Sequence, residues 1–269
     1  MTNTRRILEQ LLQGKITLEK TEDLLRFNHL EHIGEFARID SNRQKRTGIP
    51  EAVHGEYKEP EFTYEIVENL VREHNVALVT RTPLESINML QKLEKDHNYV
   101  VEIHPGTKGK TIIVRTADYA FSEDQGTIGI LTAGTSDVGV AAEAQLVAQI
   151  MGCRVLTAHD TGVAGVHRLI DPLREMLQVD ALIVCAGMEG ALPTLVAGLV
   201  DIPVIGVPVS TGTGLGEKGT GALISMLQSC SPGLVVVNVD NGFGAGAFAA
   251  LIANRAAKAR KKDLAEISA

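Results

Sequence analysis

Two side chains in the second half of this chain have the chemistry of a reaction centre, the carboxylate of Glu189 and the thiol of Cys230. Glu189 sits between glycines in Gly187-Met188-Glu189-Gly190, at the end of an apolar run, where its neighbours give it no cover. A carboxylate so placed could act as a general base, hold a cation, or cap the helix that follows. Cys230 lies in the polar turn Ser229-Cys230-Ser231-Pro232-Gly233, where a soft nucleophile could face a ligand. The carboxyl end of a helix disfavours a thiolate, so a nearby cation or a cationic substrate would have to compensate. Cys153 and Cys185 read as packing residues, and three dispersed cysteines make no disulfide framework.

A second group of residues suits an anionic ligand. Gly134-Thr135-Ser136-Asp137 follows an apolar run and opens a helix-like stretch. It reads either as a helix cap or as hydroxyls and amides that grip a phosphate or ribose, with Asp137 on a sugar hydroxyl or a metal. Asp240-Asn241-Gly242-Phe243-Gly244-Ala245-Gly246 has alternating glycines that permit close backbone approach to a ligand. It lacks the full dinucleotide fingerprint, which disfavours an ordinary Rossmann dehydrogenase. His159 and His167 default to structural roles, while Arg168 beside His167 could contribute to anion binding. Arg38 and Arg46 belong to a charged amino-terminal segment. It reads as a solvated linker, or as an arm that folds over the site and brings guanidinium groups to phosphates. No Cys/His spacing points to structural zinc, and the metal ligands, if any, stay unassigned.

These turns share one structural position. Apolar runs over 128–131, 154–157, 181–185, 203–207 and 234–237 read as buried parallel strands. Helical stretches over 138–151, 163–177, 192–199, 219–228 and 245–262 alternate with them. The fold class expected is α/β, an open three-layer parallel sheet of flavodoxin-like kind, with every glycine-rich turn at its carboxyl edge. A smaller α/β region precedes it, with helices over 62–74 and 84–95 and strands over 76–80, 99–103 and 111–114. An amphipathic helix within 1–20 and an irregular charged stretch come first, and the domain boundary falls between 1–120 and 121–269.

The 269 residues can bury a substantial core, and 44% apolar with 22% charged residues is ordinary for a globular protein. A net charge of -7 argues against general nucleic-acid binding. Glycine, proline or charge interrupts every apolar stretch before membrane-spanning length, and the amino terminus has no secretory signal. The expectation is a cytoplasmic protein with no nucleic-acid or membrane partner.

Residues 126–257 resemble the PurE-like fold of carboxyaminoimidazole-ribonucleotide mutases, through Gly134-Thr135-Ser136-Asp137, Thr157-Ala158-His159, Ala191-Leu192-Pro193 and Gly206-Val207-Pro208-Val209. Where those mutases have a histidine just before the Leu-Pro of the third turn, this chain has Ala191. A closer resemblance covers nearly the whole chain and is to the LarB family, the carboxylase/hydrolase that starts nickel-pincer nucleotide cofactor synthesis. It is carried by Ala37-Arg38-Ile39-Asp40, Arg46-Thr47-Gly48-Ile49-Pro50-Glu51, Gly162-Val163-Ala164-Gly165-Val166-His167-Arg168 and Ala186-Gly187-Met188-Glu189-Gly190-Ala191-Leu192-Pro193. Ser225-Met226-Leu227-Gln228-Ser229-Cys230 and the segment from Asn238 to Gly246 complete it, together with the Gly134 turn.

The resemblance implies carboxylation of the pyridinium ring of nicotinic acid adenine dinucleotide by CO2 or bicarbonate, followed by hydrolysis of the phosphoanhydride. The products would be pyridinium-3,5-biscarboxylic acid mononucleotide and AMP. Cys230 corresponds to the family's nucleophile, and Glu189 is the expected ring-proton base or site organiser. Gly134, Thr135, Ser136 and Asp137, with Gly187, Met188, Asp240, Asn241 and Gly242, would contact substrate. Arg38, Arg46, His167 and Arg168 are further candidates. Mg2+ is the expected ion, no bound organic cofactor is expected, and the resemblance implies a homo-oligomer, an octamer, with sites near subunit boundaries.

Overall fold

In the computed structural model, residues 3–25, 31–33, 37–40 and 43–267 are described. The amino-terminal part begins with α1 (Asn3–Leu12), α2 (Leu18–Leu25), an antiparallel pair β1 (Glu31–Ile33) and β2 (Ala37–Ile39), and α3 (Arg43–Thr47). Then come β3 (Ala52–His54), α4 (Pro60–His74), β4 (Val76–Thr82), α5 (Leu84–Leu90), α6 (Leu93–Asp96), β5 (Val100–His104) and β6 (Lys110–Arg115). The remainder is β7 (Thr127–Thr132), α7 (Val138–Ile150), β8 (Arg154–Ala158), α8 (His167–Glu175), β9 (Ala181–Ala186) and α9 (Ala191–Ala197). It closes with β10 (Val204–Pro208), α10 (Thr220–Leu227), β11 (Leu234–Val236) and α11 (Gly242–Ile267).

The last five strands form one parallel sheet in the order β11-β10-β9-β7-β8. β9, at its centre, is buried along its whole length, so both its faces need apolar side chains. One face packs on α7 and α11, the other on α8, α9 and α10. This is the three-layer α/β, flavodoxin-like arrangement expected from the alternation of apolar runs and glycine turns.

A second sheet, in the order β3-β4-β6-β5, stacks on the outside of α7 and α11. Its two faces separate by strand alternation. Leu78 and Ile113, paired across β4 and β6, join the core around α7, while the adjacent pair Val79 and Ile112 faces α4, α5 and α6. The charged segment preceding it is partly built: β3, only three residues long, pairs parallel with β4.

The glycines of the last turn are committed to helix packing. A side chain on Gly242 would begin 2.2 Å from the Val140 carbonyl oxygen, and one on Gly246 would begin 2.4 Å from that of Ala144. They let α11 lie directly on α7, which anchors the carboxyl edge of the sheet. The close backbone approach that Gly242 makes is to a helix. Among the described residues no helix is long and apolar enough to cross a membrane.

Candidate active site

The turns after β7 and β9 and the loop after β8 open onto a cleft of about 370 Å3 at the carboxyl edge. Gly134, Ser136 and Asp137 come from the first turn, Gly187, Met188 and Glu189 from the second. The loop after β8 adds Asp160 and Gly162, the start of α8 adds Arg168, and Thr211 arrives from the turn after β10. Parallel strands put all these residues on one edge because each crossover helix returns the chain to the opposite one.

Asp137 forms the floor. It is 2% exposed, and its carboxylate accepts from the Gly134 amide at 2.9 Å, from Thr211 Oγ1 at 3.3 Å and from Ser136 Oγ at 3.4 Å. Burial pushes its acidity weaker than an ordinary aspartate despite those donors, and Asp240 adds a small push the same way. Asp137 thus organises the turn as well as lining the cleft.

Glu189 is exposed, and among the described residues its carboxylate has no hydrogen-bond or ion-pair partner. Gly190 opens α9 with no side-chain cap, so Glu189 is not a capping residue. The turn that presents it is unusual in its backbone. Met188 has φ 48° and Gly190 φ 64°, and a side chain on Gly190 would begin 2.8 Å from Ala222 Cα. A non-glycine residue in the left-handed region is uncommon and, in a loop over a cleft, is a feature that functional sites collect. Arg168 is held to Asp160 by an ion pair at the cleft rim, and Asp160 is also left-handed, with φ 58°.

Several sequence candidates lie elsewhere in the chain. Thr135 and His167 are exposed beside the cleft but are not among the residues lining it. Asp240 is 2% exposed, and its Oδ1 accepts from the Ser210 amide at 2.9 Å, which ties the turns after β10 and β11 together. Asn241 Oδ1 accepts from the Gly244 amide at 2.9 Å at the start of α11. Arg46 is paired with Asp40, Nη1 to Oδ1 at 3.0 Å, within the amino-terminal part. Arg38 lies on β2, and its side chain falls outside the described residues.

Cys230 is exposed, as a reactive thiol must be, but it stands at the amino edge of the sheet. It precedes β11, whose Leu234 is level with Val204 of β10 and, through it, with Leu182 of β9. Glu189 follows Ala186 at the other end of β9, and the strand between, Leu182 to Ala186, spans about 13 Å. Helix α9 repeats the measure, starting beside Glu189 and ending at Gly198, against which Ser231 Oγ packs. The other thiols are inert by position. Cys153 is buried, its Sγ lies 3.1 Å from Asn254 Oδ1, and burial pushes it up to about 12. Cys185 is fully buried inside β9, which likewise raises its pKa.

The cleft also holds residues that pattern reading missed. Asp160 and Thr211 were visible only as polar residues in loops; their roles depend on contacts to Arg168 and Asp137 from distant segments.

Residues 127–269 match the family model for AIR carboxylase, and residues 30–105 match that for the LarB/PurE-like N-terminal domain. An uncharacterized protein of Methanocaldococcus jannaschii is 46% identical over 256 residues, which is 93% of this chain and 97% of that protein. The N5-carboxyaminoimidazole ribonucleotide mutase of Thermotoga maritima is 30% identical over 134 residues, 46% of this chain and 73% of that protein.

Proposed function

The chain belongs to the LarB family and carries a PurE-like carboxyl-terminal domain, and on that footing we propose that it carboxylates the pyridinium ring of nicotinic acid adenine dinucleotide. The observation that carries the reading is the convergence of Ser136, Glu189 and Arg168 on one glycine-lined cleft, in an enzyme of the PurE/LarB type. The same enzyme then hydrolyses the phosphoanhydride, releasing pyridinium-3,5-biscarboxylic acid mononucleotide and AMP. It works as a cytoplasmic homo-oligomer.

A pyridinium carbon is electron-poor and does not attack CO2. Addition of the Cys230 thiolate at the ring carbon para to nitrogen moves an electron pair onto the ring and gives a neutral dihydropyridine. Its neighbouring enamine carbon is nucleophilic and forms the new bond to CO2. A base, Glu189, takes the proton from that carbon, and expulsion of the thiolate restores the aromatic pyridinium. The ring's own positive charge favours the thiolate that attacks it. Ser136 and the amides of the Gly134 turn would take the ribose-phosphate, and Arg168 the remaining phosphate.

Within one subunit Cys230 and Glu189 are too far apart to act on one ring. The reading therefore requires a second copy to bring its Cys230 to the cleft. Leu199, Ile224, Leu227 and Val235 on the elements around Cys230 are exposed, an apolar surface of the kind copies of a chain bury against each other.

Mg2+ fits as an ion held mainly by substrate. No three His, Cys, Asp or Glu among the described residues converge as ligands, whereas Mg2+ commonly uses one or two carboxylates plus substrate phosphates. Glu189 or Asp160 would hold it, and it would supply polarisation of the phosphoanhydride.

The mutase reading draws on the likeness to the Thermotoga maritima protein. Ala191, which lines the cleft where those mutases carry a histidine, speaks against it. Incubation of purified protein with nicotinic acid adenine dinucleotide and bicarbonate, read by mass spectrometry, separates the two. Conversion of carboxyaminoimidazole ribonucleotide in its place would favour the mutase.

A further inference from the structure

At the seam between the small sheet and the large one lies a second cavity, of about 160 Å3, lined by Arg43, His54, Arg81, Glu143, Asn241 and Phe243. Glu143 is the lone ionisable residue of helix α7 and is 2% exposed. The Phe243 backbone at the start of α11 favours the ionised form of its carboxyl group, yet Oε1 has no hydrogen-bond partner among the described residues. A buried carboxyl oxygen left unpaired is costly, and natural proteins rarely keep one without a reason.

The opposite wall is cationic. Arg81 Nη2 donates to the Asp240 carbonyl oxygen at 3.0 Å, and its Nη1 lies 3.5 Å from Glu56 Oε2. Arg43 Nη1 lies 3.3 Å from Glu51 Oε2. These contacts leave N–H donors unused on both guanidinium groups. Burial and the charge of Arg81 push the pKa of His54 down, which favours its neutral imidazole. The cavity thus offers spare donors on one side and one orphan carboxyl oxygen on the other.

We propose that this cavity binds a small oxyanion that carries an O–H group, of the hydrogencarbonate or hydrogenphosphate class. Arg81 and Arg43 hold its bare oxygens, and its hydroxyl meets Glu143 Oε1. A cation would be repelled by the guanidinium groups, and an apolar ligand would leave every polar atom unmet. An oxyanion with no hydrogen would face the ionised carboxylate with like charge and no proton between them. Burial holds Glu143 up at about 7, with Arg81 pulling it down and Asp240 adding to the rise, so at pH 8 the carboxyl is ionised and needs a donor. The site does not depend on the reaction proposed above. If hydrogencarbonate is the occupant, however, the cavity is a holding point for the carboxyl donor.

The test is calorimetric titration of the full chain at pH 8 with bicarbonate, with inorganic phosphate and with sulfate, at constant ionic strength. At least one hydrogen-bearing ion should bind saturably, with sulfate at least tenfold weaker; preference between the two identifies the source. Glu143→Gln, whose amide donates, should admit sulfate and narrow that gap. Arg43→Gln, at the more exposed of the two guanidinium positions, should weaken binding about tenfold while leaving the core intact. Saturable binding of neither ion, sulfate binding as well as the better of them, or indifference to both substitutions would overturn the proposal. None of these readouts requires turnover, so the site can fail while the carboxylase reading stands.

Discussion

Cys230 and Glu189 stand at opposite edges of one parallel sheet, the first ahead of β11 and the second behind β9. If both act on one ring they come from different copies of the chain. Cys230→Ser and Glu189→Gln variants, each inactive alone, should then regain measurable carboxylation when dissociated, mixed and reassembled. Some mixed sites would combine an intact thiol with an intact carboxylate. No recovery in demonstrably mixed oligomers would contradict a shared site.

Glu143 should make stability fall as pH rises. Its carboxyl ionises at 4.5 in an ordinary setting but is held up at about 7 by burial, so the folded chain carries an extra proton between those values. Stability from this group is present below pH 4.5 and lost as pH rises through 7, a change of about 3 kcal/mol at most. Asp137 is shifted in the same direction and adds to the slope. Urea unfolding at pH 5 and pH 8 should show a smaller loss in Glu143→Gln than in wild type. An equal loss would mean that Glu143 ionises normally in the fold.

Gly242→Ala should cost about 1–3 kcal/mol, because its new carbon would begin 2.2 Å from the Val140 carbonyl and force α11 away from α7. The check is the urea midpoint at fixed pH. An unchanged midpoint would show that the two helices can separate freely.

Much of this architecture was legible because burial on both faces leaves a plain mark. The runs through Ile130 and Ile183 read as buried parallel strands, and their ends agree with the structure within a residue or two. Errors fell where local geometry or distant packing decides. The helix expected from 163 starts at His167, since Val163–Gly165 forms a single 3-10 turn. The helix over 84–95 divides into α5 and α6. The three residues of β3 show no periodicity in the sequence, and their pairing with β4 is made by the tertiary fold. α11 begins at Gly242 instead of 245, where Asn241 bonds the Gly244 amide. Glycine spacing alone could not distinguish a helix neighbour from a ligand at Gly242. Glu143 was visible as a lone acid in an apolar helix, but its burial depends on a sheet packed against α7 from another part of the chain.

Arg168 should matter for binding more than for chemistry. Arg168→Gln would remove the guanidinium at the cleft rim and leave Asp160 unpaired, raising KM for the dinucleotide about tenfold with kcat changed far less. Steady-state kinetics decide this, and a fall in kcat at constant KM would move Arg168 from substrate binding into the chemical step.

The most direct test of the central claim is product analysis with nicotinic acid adenine dinucleotide and carbon-13 bicarbonate, wild type beside Cys230→Ser. Wild type should yield a biscarboxylated mononucleotide carrying the label in its new carboxyl group, together with AMP. The serine variant should give no labelled product while remaining folded and able to bind the dinucleotide. Full labelled turnover by the serine variant, or no label incorporated by wild type, would contradict the account.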